Sequence, residues 1–439
     1  MSEYKLYAVT GNPILFSRSP QIYNSLFRHF NIRAHYTRIL SSSAYESLRI
    51  GKEMKLHGLN LTSPFKEQAV PFIHQVSSEA KKIKAVNLVL FHDSYLSGFN
   101  TDPYGVIKAL KTNQVSVQGK KCLVLGAGGA GRAAVFGLLK SKAAQVILVN
   151  RTQLRAKKTA HELGCEYAPI EQLAKILIDC NIFISCIPRF PCCLNSYKWP
   201  PNISILNADY RNSSLSFSTK QNSINCISGL DWLLFQAFLS FHLFTGKNVP
   251  IEIKKSIKEK LMNNRNALKS NLALIGFMGT GKTSVGQVLA EKGHFNFLDT
   301  DQVIEESEGF SINDIFKKKG EKKFREIEKS LMSPFLQHSK NTVFSLGGGT
   351  VLDSHTVQKL RKTCRVIWLW NPLDKILQRT NFQKRPLLSG FSRNHMEQLY
   401  LSRIPYYAEA SDLVVPSPTG EIKQTAQRIK NEIDQTISH

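Results

Sequence analysis

The sequence predicts an α/β chain, with parallel sheets flanked by helices in more than one domain. Three observations carry that expectation. Short apolar runs alternate with helix-length amphipathic segments for most of the chain, the rhythm of βαβ units. Two glycine-rich loops, starting at Gly126 and Gly276, each follow an apolar strand and open a helix. The 439 residues exceed what one ordinary domain holds, and 42% are hydrophobic, enough for more than one core.

Tyr4–Thr10 reads as the first strand. Ser19-Pro20 then opens a helix, with Ser19 as N-cap and the proline at the first position. Ile22, Leu26, Phe27 and Phe30 share one face of it. Further strands are expected at His35–Leu40, Gly58–Thr62, Ala85–Phe91, Lys121–Leu125, Gln145–Val149, Asn181–Ser185 and Ile203–Leu206. The polar stretch 263–270 follows a lysine-rich helix, and Asn271–Ile275 starts a new strand, so the main boundary falls there.

Lysine and arginine number 58 against 33 acidic residues, a net charge of +25. Such an excess attracts anions, from nucleic acid to small phosphates and carboxylates. The basic residues are spread along the chain, which fits a solvated surface better than a nucleic-acid-binding tail. Lys317, Lys318, Lys319, Lys322 and Lys323 read the same way. Eight cysteines include no Cys-x-x-Cys pair and suit free thiols in a reducing compartment. The start, MSEYKLYAV, has no signal-peptide pattern, and Leu230–Phe244 is too short and too polar to span a bilayer. Cytoplasmic localisation is the expectation, with no membrane and no nucleic acid as partners. The 12 histidines form no metal-binding pattern, so the only metal expected is Mg²⁺ brought with a nucleotide.

The first loop, Gly126-Ala127-Gly128-Gly129-Ala130-Gly131, is a G-x-G-x-x-G between the strand Cys122–Leu125 and the helix Ala130–Lys140. That context defines a Rossmann-type dinucleotide site, with phosphates on the helix N-terminus. The next strand ends in Asn150-Arg151-Thr152, with Arg155 one turn on. Arginine pairs with a 2′-phosphate that a carboxylate would repel, so the cofactor expected is NADP rather than NAD. The second loop, Gly276-Phe277-Met278-Gly279-Thr280-Gly281-Lys282-Thr283, fits the P-loop pattern without a mismatch. Backbone N–H groups of Gly276, Gly279, Thr280 and Gly281 would cradle ATP phosphates. Lys282 would reach the β/γ-phosphates and Thr283 would bind Mg²⁺.

Further motifs accompany the first loop: Ser17-Arg18-Ser19-Pro20, Gly58–Lys66 with Asn60-Leu61-Thr62-Ser63-Pro64, Ala85-Val86-Asn87, and Asn100-Thr101-Asp102. In that order, over about residues 1–262, they resemble the shikimate dehydrogenase family. The resemblance implies NADPH-dependent reduction of 3-dehydroshikimate to shikimate. It casts Lys66 and Asp102 as the catalytic pair. Ser17 and Ser19 would bind the substrate carboxylate. Thr62 and Asn87 would contact the ring, Tyr210 and Gln236 would be further substrate contacts, and Gly229 would lie near the nicotinamide. It also implies a discontinuous substrate domain, 1–104 completed by 229–262, around a nucleotide domain at 105–228. Phe16, Asn207, Trp232 and the turn Ser185-Cys186-Ile187-Pro188 depart from the family's usual residues.

After the P-loop come Asp299-Thr300-Asp301, Gly320–Arg325, Gly347-Gly348-Gly349, Arg385-Pro386-Leu387-Leu388 and Arg403-Ile404-Pro405-Tyr406-Tyr407. Over about residues 271–439 this series resembles the shikimate kinase family, a P-loop fold like the nucleoside monophosphate kinases. The resemblance implies phosphorylation of the shikimate 3-hydroxyl by ATP. Asp301 would hold the accepting hydroxyl and Asp299 would support Mg²⁺. Arg325 and Arg403 would clamp the carboxylate beside the Gly347 triplet. Arg379 would stack on adenine and Arg385 would belong to a lid. Two other readings stand beside this one: a metabolite-sensing regulator on the same domains, and an NAD-linked quinate/shikimate dehydrogenase fused to a kinase. Lys66, Asp102, Lys282 and Asp301 speak against the first, Arg151 and the fusion against the second.

Overall fold

The computed structural model describes residues 3–188, 199–211, 224–263, 269–379, 392–418 and 420–437. Two sheets organise them. The smaller has six strands in the spatial order Asn225–Ile227, Ser204–Asn207, Ile182–Ser185, Lys121–Leu125, Gln145–Val149 and Glu166–Ala168. Every pairing in it is parallel. Its order reverses beside Lys121–Leu125, and such switch points are where parallel α/β sheets open a crevice for ligands.

The larger sheet has eleven strands and runs through both halves of the chain. Its order is Asn296–Asp299, Thr342–Ser345, Asn271–Ile275, Cys364–Trp370, Leu413–Pro416, Ala34–Leu40, Lys5–Gly11, Gly58–Leu61, Leu88–Phe91, Leu96–Phe99 and Gln75–Val76. The join is the parallel contact of Leu413–Pro416 with Ala34–Leu40, registered at Val414 and Ile39. From Asn296–Asp299 to Gly58–Leu61 all pairings are parallel. The loops after these strands therefore emerge on one edge of the sheet. That edge carries the Ser17 loop, the Thr62–Lys66 turn, the P-loop, Asp301 and the Gly347 triplet.

Strands covered on both faces read as near-continuous apolar runs, and Leu6–Val9, Leu272–Ile275 and Val366–Trp370 are all buried. Each face carries one core drawn from both halves. On one face Tyr7, Leu40, Leu272, Leu413 and Ile429 belong to a single cluster. On the other, Ile39, Leu59, Ala273, Val366 and Val414 do.

Several boundaries differ from the sequence expectation. Ser19 is already helical: the helix is Ser19–His29, Arg18 holds the N-cap place, and no side chain caps it. Pro20 is tolerated one residue further in because first-turn N–H groups have no helical partner anyway. The strand expected from Ala85 starts at Leu88. Ala85 N–H instead closes the preceding helix on the Ala80 carbonyl, and Val86 N–H bonds the Lys66 carbonyl. The short strands Gln75–Val76, Leu96–Phe99, Glu166–Ala168 and Asn225–Ile227 were not anticipated. No helix among the described residues is long and apolar enough to cross a membrane.

Candidate functional site

The first site lies where the Gly126 loop meets the large sheet. Lys66 is in the short helix Phe65–Gln68 that follows Gly58–Leu61. Asp102 is buried and begins the helix Asp102–Thr112, whose N-cap is Thr101. The Lys66 ammonium donates to Asp102 Oδ2 at 2.5 Å, so the carboxylate serves the lysine. A Cβ on Gly129 would stand 3.0 Å from Lys66 Cβ, which puts the pair at the mouth of the dinucleotide loop.

A buried polar network lies next to this pair, through Thr101. Asn87 Oδ1 accepts the Thr101 N–H at 2.8 Å, and Asn87 Nδ2 donates to Thr101 Oγ1 at 3.0 Å and towards Gln236 Oε1 at 3.5 Å. Tyr36 donates to Asn60 Oδ1 at 2.7 Å, and Asn60 Nδ2 donates to the Asn87 carbonyl at 3.1 Å. Ser240 joins it through Thr101 Oγ1 at 2.9 Å. Asn60 and Thr101 fall inside motifs quoted from the sequence but had no role assigned there, whereas nothing local marks Tyr36 and Ser240, which burial alone brings into the network.

The Ser17 loop follows Lys5–Gly11. Ser17 and Ser19 are largely buried, and Ser17 Oγ accepts the Ser19 N–H at 3.4 Å. Tyr210 is brought to this loop: burial pushes its phenol up, partly offset by a backbone hydrogen bond at Arg18 and by nearby arginines. The departures from the family fit together here. Asn207 Oδ1 accepts the Asp209 N–H at 3.2 Å. Asp209 holds Arg211 at 2.7 Å, and that guanidinium lies 5.1 Å from the centre of the Phe16 ring. Trp232 is buried over Gly105, where a Cβ would fall 2.7 Å from Trp232 Cδ1. Gly229 opens the helix Gly229–Thr245 and passes so close to Asn207 that a Cβ would sit 2.3 Å from its carbonyl.

The residues of the first loop fit a dinucleotide. A Cβ on Gly131 would lie 1.7 Å from the Gly126 carbonyl, so only glycine lets helix and loop close. Gly128 is the N-cap of Gly129–Lys140 and no side chain caps this helix, an arrangement that suits an anion such as a pyrophosphate. Asn150 is spent within the fold, accepting the Ala127 N–H at 3.2 Å and donating to the Thr152 carbonyl at 3.1 Å. Arg151 is exposed. Arg155 pairs with Glu67, one residue after Lys66, at 2.6 Å.

The second site is built on the other half of the same sheet edge. Gly276 has φ +144°, and a Cβ there would meet the Leu369 carbonyl at 2.4 Å. Lys282 Nζ donates to the Gly276 carbonyl at 3.0 Å and the Phe277 carbonyl at 3.2 Å, folded back over the P-loop. Thr280 is buried and donates to the Phe277 carbonyl at 2.8 Å. Thr283 donates to Asp299 Oδ2 at 2.7 Å. A hydroxyl beside a carboxylate is the hard oxygen pair that suits Mg²⁺. Asp299 Oδ1 also accepts the Asp301 N–H at 3.0 Å and so caps the helix Thr300–Glu308.

Opposite, a Cβ on Gly347 would stand 3.1 Å from Asp301 Oδ1, which sets Asp301 beside the glycine triplet. A Cβ on Gly349 would overlap the Arg325 guanidinium at 2.0 Å. Arg403 is largely buried and donates to the Gly348 carbonyl at 3.3 Å; Tyr407 donates to the same oxygen at 2.5 Å. Glu328, unforeseen, is buried and accepts from Arg325 Nη1 at 2.7 Å and Thr350 Oγ1 at 2.5 Å. Arg385 and the Arg379 side chain lie outside the described residues.

A dinucleotide-binding dehydrogenase fold and a P-loop kinase fold in one chain define a two-activity enzyme, an oxidoreductase joined to a phosphotransferase. Family models agree in order: the shikimate dehydrogenase substrate binding domain over residues 9–89, shikimate / quinate 5-dehydrogenase over 108–194, and shikimate kinase over 278–434. A shikimate dehydrogenase (NADP(+)) of Carboxydothermus hydrogenoformans is 31% identical over 58% of this chain and 96% of its own length. A shikimate kinase of Persephonella marina is 45% identical over 32% of this chain and 85% of its own. The solved shikimate 5-dehydrogenase of Thermus thermophilus, in complex with NADP(H) and shikimate, superposes with TM-score 0.52 at 28% identity. It covers 58% of this chain and 99% of its own. The chain belongs to the shikimate dehydrogenase family in its N-terminal part and to the shikimate kinase family in its C-terminal part. It is a bifunctional shikimate-pathway enzyme, using NADP in one half and ATP in the other.

Proposed function

We propose that the N-terminal half reduces 3-dehydroshikimate to shikimate and the C-terminal half phosphorylates the shikimate 3-hydroxyl. The observation that carries this reading is the Lys66–Asp102 pair beside the Gly126–Gly131 loop. Bound NADPH supplies a hydride to the ketone carbon. Lys66 gives the proton to the ketone oxygen, while Asp102 orients the ammonium and accepts a ring hydroxyl. Ser17 and Ser19 hold the carboxylate, Thr62 and Asn87 contact the ring, and Tyr210 and Gln236 complete the substrate contacts. Arg151 and Arg155 take the 2′-phosphate, Arg155 exchanging Glu67 for it. Gly126, Gly128, Gly129 and Gly131 face the pyrophosphate. Asn150 and Thr152 frame the loop, and Gly229 borders the nicotinamide.

In the kinase half, Asp301 holds the 3-hydroxyl and takes its proton as the new O–P bond forms and the bond to ADP breaks. Lys282 and the N–H groups of the P-loop neutralise the phosphates, and Thr283 and Asp299 hold Mg²⁺. Arg325 and Arg403 clamp the carboxylate against Gly347, Gly348 and Gly349. For Arg379 and Arg385 the support is the sequence alone. We assign the domains as 1–104 with 229–262, 105–228, a linker at 263–270, and 271–439, in a cytoplasmic enzyme.

Lys66→Ala is expected to abolish ketone reduction by NADPH and leave ATP-dependent phosphorylation of shikimate intact. Lys282→Ala is expected to do the reverse. If either change silences both activities in a folded protein, the two sites are not separate and the reading is wrong.

A further inference from the structure

The last described helix of the kinase half touches the loop that leads to Ser17 in the dehydrogenase half. It runs Ile422–Ile437 and packs on the P-loop helix Lys282–Gly293. Glu432 lies on its inner side, 2% exposed. One carboxylate oxygen, Oε1, accepts the N–H groups of both Ile14 and Leu15 at 2.6 Å. Two consecutive N–H groups on one oxygen form an anion-binding concavity, and here the anion is a side chain of the other half.

Those two residues lie in the loop between the strand Lys5–Gly11 and the helix Ser19–His29, which carries Ser17 and leads into Ser19. The Ile14 carbonyl accepts the Ser17 N–H at 3.0 Å. The Ser17 carbonyl takes Arg38 Nε at 2.9 Å and Nη2 at 2.6 Å. Arg38 Nη1 in turn donates to the Asp412 carbonyl, a kinase-half residue, at 3.1 Å. The same loop is therefore held from the kinase half at both ends. The helix that brings Glu432 is fixed to the large sheet by Arg428, which donates to the Leu40 carbonyl at 3.3 Å and pairs with Glu46 at 3.3 Å.

We propose that Glu432 is a positioning residue for the dehydrogenase reaction: by holding Ile14 and Leu15, the kinase half sets the geometry with which Ser17 and Ser19 receive the substrate carboxylate. The proposal rests on the reading that these serines bind that carboxylate. Loss of the acceptor leaves two N–H groups without a partner inside the fold, and the loop relaxes to satisfy them. The cost falls on binding rather than on hydride transfer, because Lys66 and Asp102 stand on other elements.

The test uses the full-length chain, with each reaction assayed by itself. Glu432→Ala is expected to raise the KM for 3-dehydroshikimate about tenfold, or about 1.4 kcal/mol, with kcat for reduction little changed. The kcat and KM of shikimate phosphorylation stay as they are, which also reports a folded protein. Glu432→Gln keeps an oxygen acceptor in place and is expected to restore most of the KM. Glu432→Asp, with the acceptor drawn back by one methylene, is expected to fall between, and decides the matter if the alanine variant does not fold. An unchanged KM in a kinase-active Ala or Asp variant overturns the proposal, as does a Gln variant no better than Ala or a loss confined to kcat. Ser17→Ala separates the two readings: if it leaves the KM unchanged, the carboxylate assignment itself fails.

Discussion

Glu328 shows what one buried carboxylate does for the kinase site. It ties Arg325 and Thr350 together and so aims the Arg325 fork across Gly349. Glu328→Ala is expected to raise the KM for shikimate phosphorylation about tenfold and leave ketone reduction untouched, measured by separate steady-state assays. Arg325 was legible in the sequence through its motif. Glu328 was not, because it shares its helix with exposed glutamates such as Glu326, and only tertiary burial separates them. Gly131 is the opposite case, since the glycine pattern already required close packing. Gly131→Ala forces a Cβ to within 1.7 Å of the Gly126 carbonyl. NADPH binding, followed by fluorescence titration, is expected to weaken by about tenfold or more. Wild-type affinity in that variant would remove the close-packing argument.

The helix Gly229–Thr245 was visible as an apolar run from Leu230 to Phe244, and its ends agree to one residue. What anchors it was not visible. Asp231, buried at its start, pairs with Lys254 at 2.9 Å and Lys258 at 3.0 Å on the next helix, Ile251–Asn263. Burial acts to raise the Asp231 carboxyl, but hydrogen bonds from the two lysines outweigh it and hold it below the ordinary value. A depressed carboxyl contributes stability above its unfolded pKa and loses it as pH falls through the folded one. Asp231→Asn is therefore expected to lower denaturant stability by about 1–3 kcal/mol near neutral pH. The gap should close below the ordinary carboxyl value of 3.8, as the wild-type carboxyl protonates too. A gap independent of pH would show that the charge is not what joins the two helices. The short strands at the sheet edges were missed for a related reason: Gln75–Val76 and Asn225–Ile227 owe their pairing to neighbours rather than to their own pattern.

At the scale of the molecule, the change of motif near residue 270 was readable, but the way the halves meet was not. Val414 and Ile39 are far apart in sequence, and each reads only as part of a buried strand. Because both cores draw residues from each half, unfolding is expected to be one cooperative transition in calorimetry rather than two. Mg·ADP, which occupies the P-loop of the kinase half and leaves the shikimate site of the dehydrogenase half empty, should also delay thermal loss of dehydrogenase activity. Two separated transitions, with no such protection, would mean that the shared core contributes little.

The most direct test of the whole account is one incubation of the purified chain with 3-dehydroshikimate, NADPH and Mg·ATP, with products identified by mass. The account predicts shikimate 3-phosphate, formed through shikimate, and none when either NADPH or ATP is left out. Shikimate accumulating without phosphorylation, or no turnover while the ligands still bind, would contradict it.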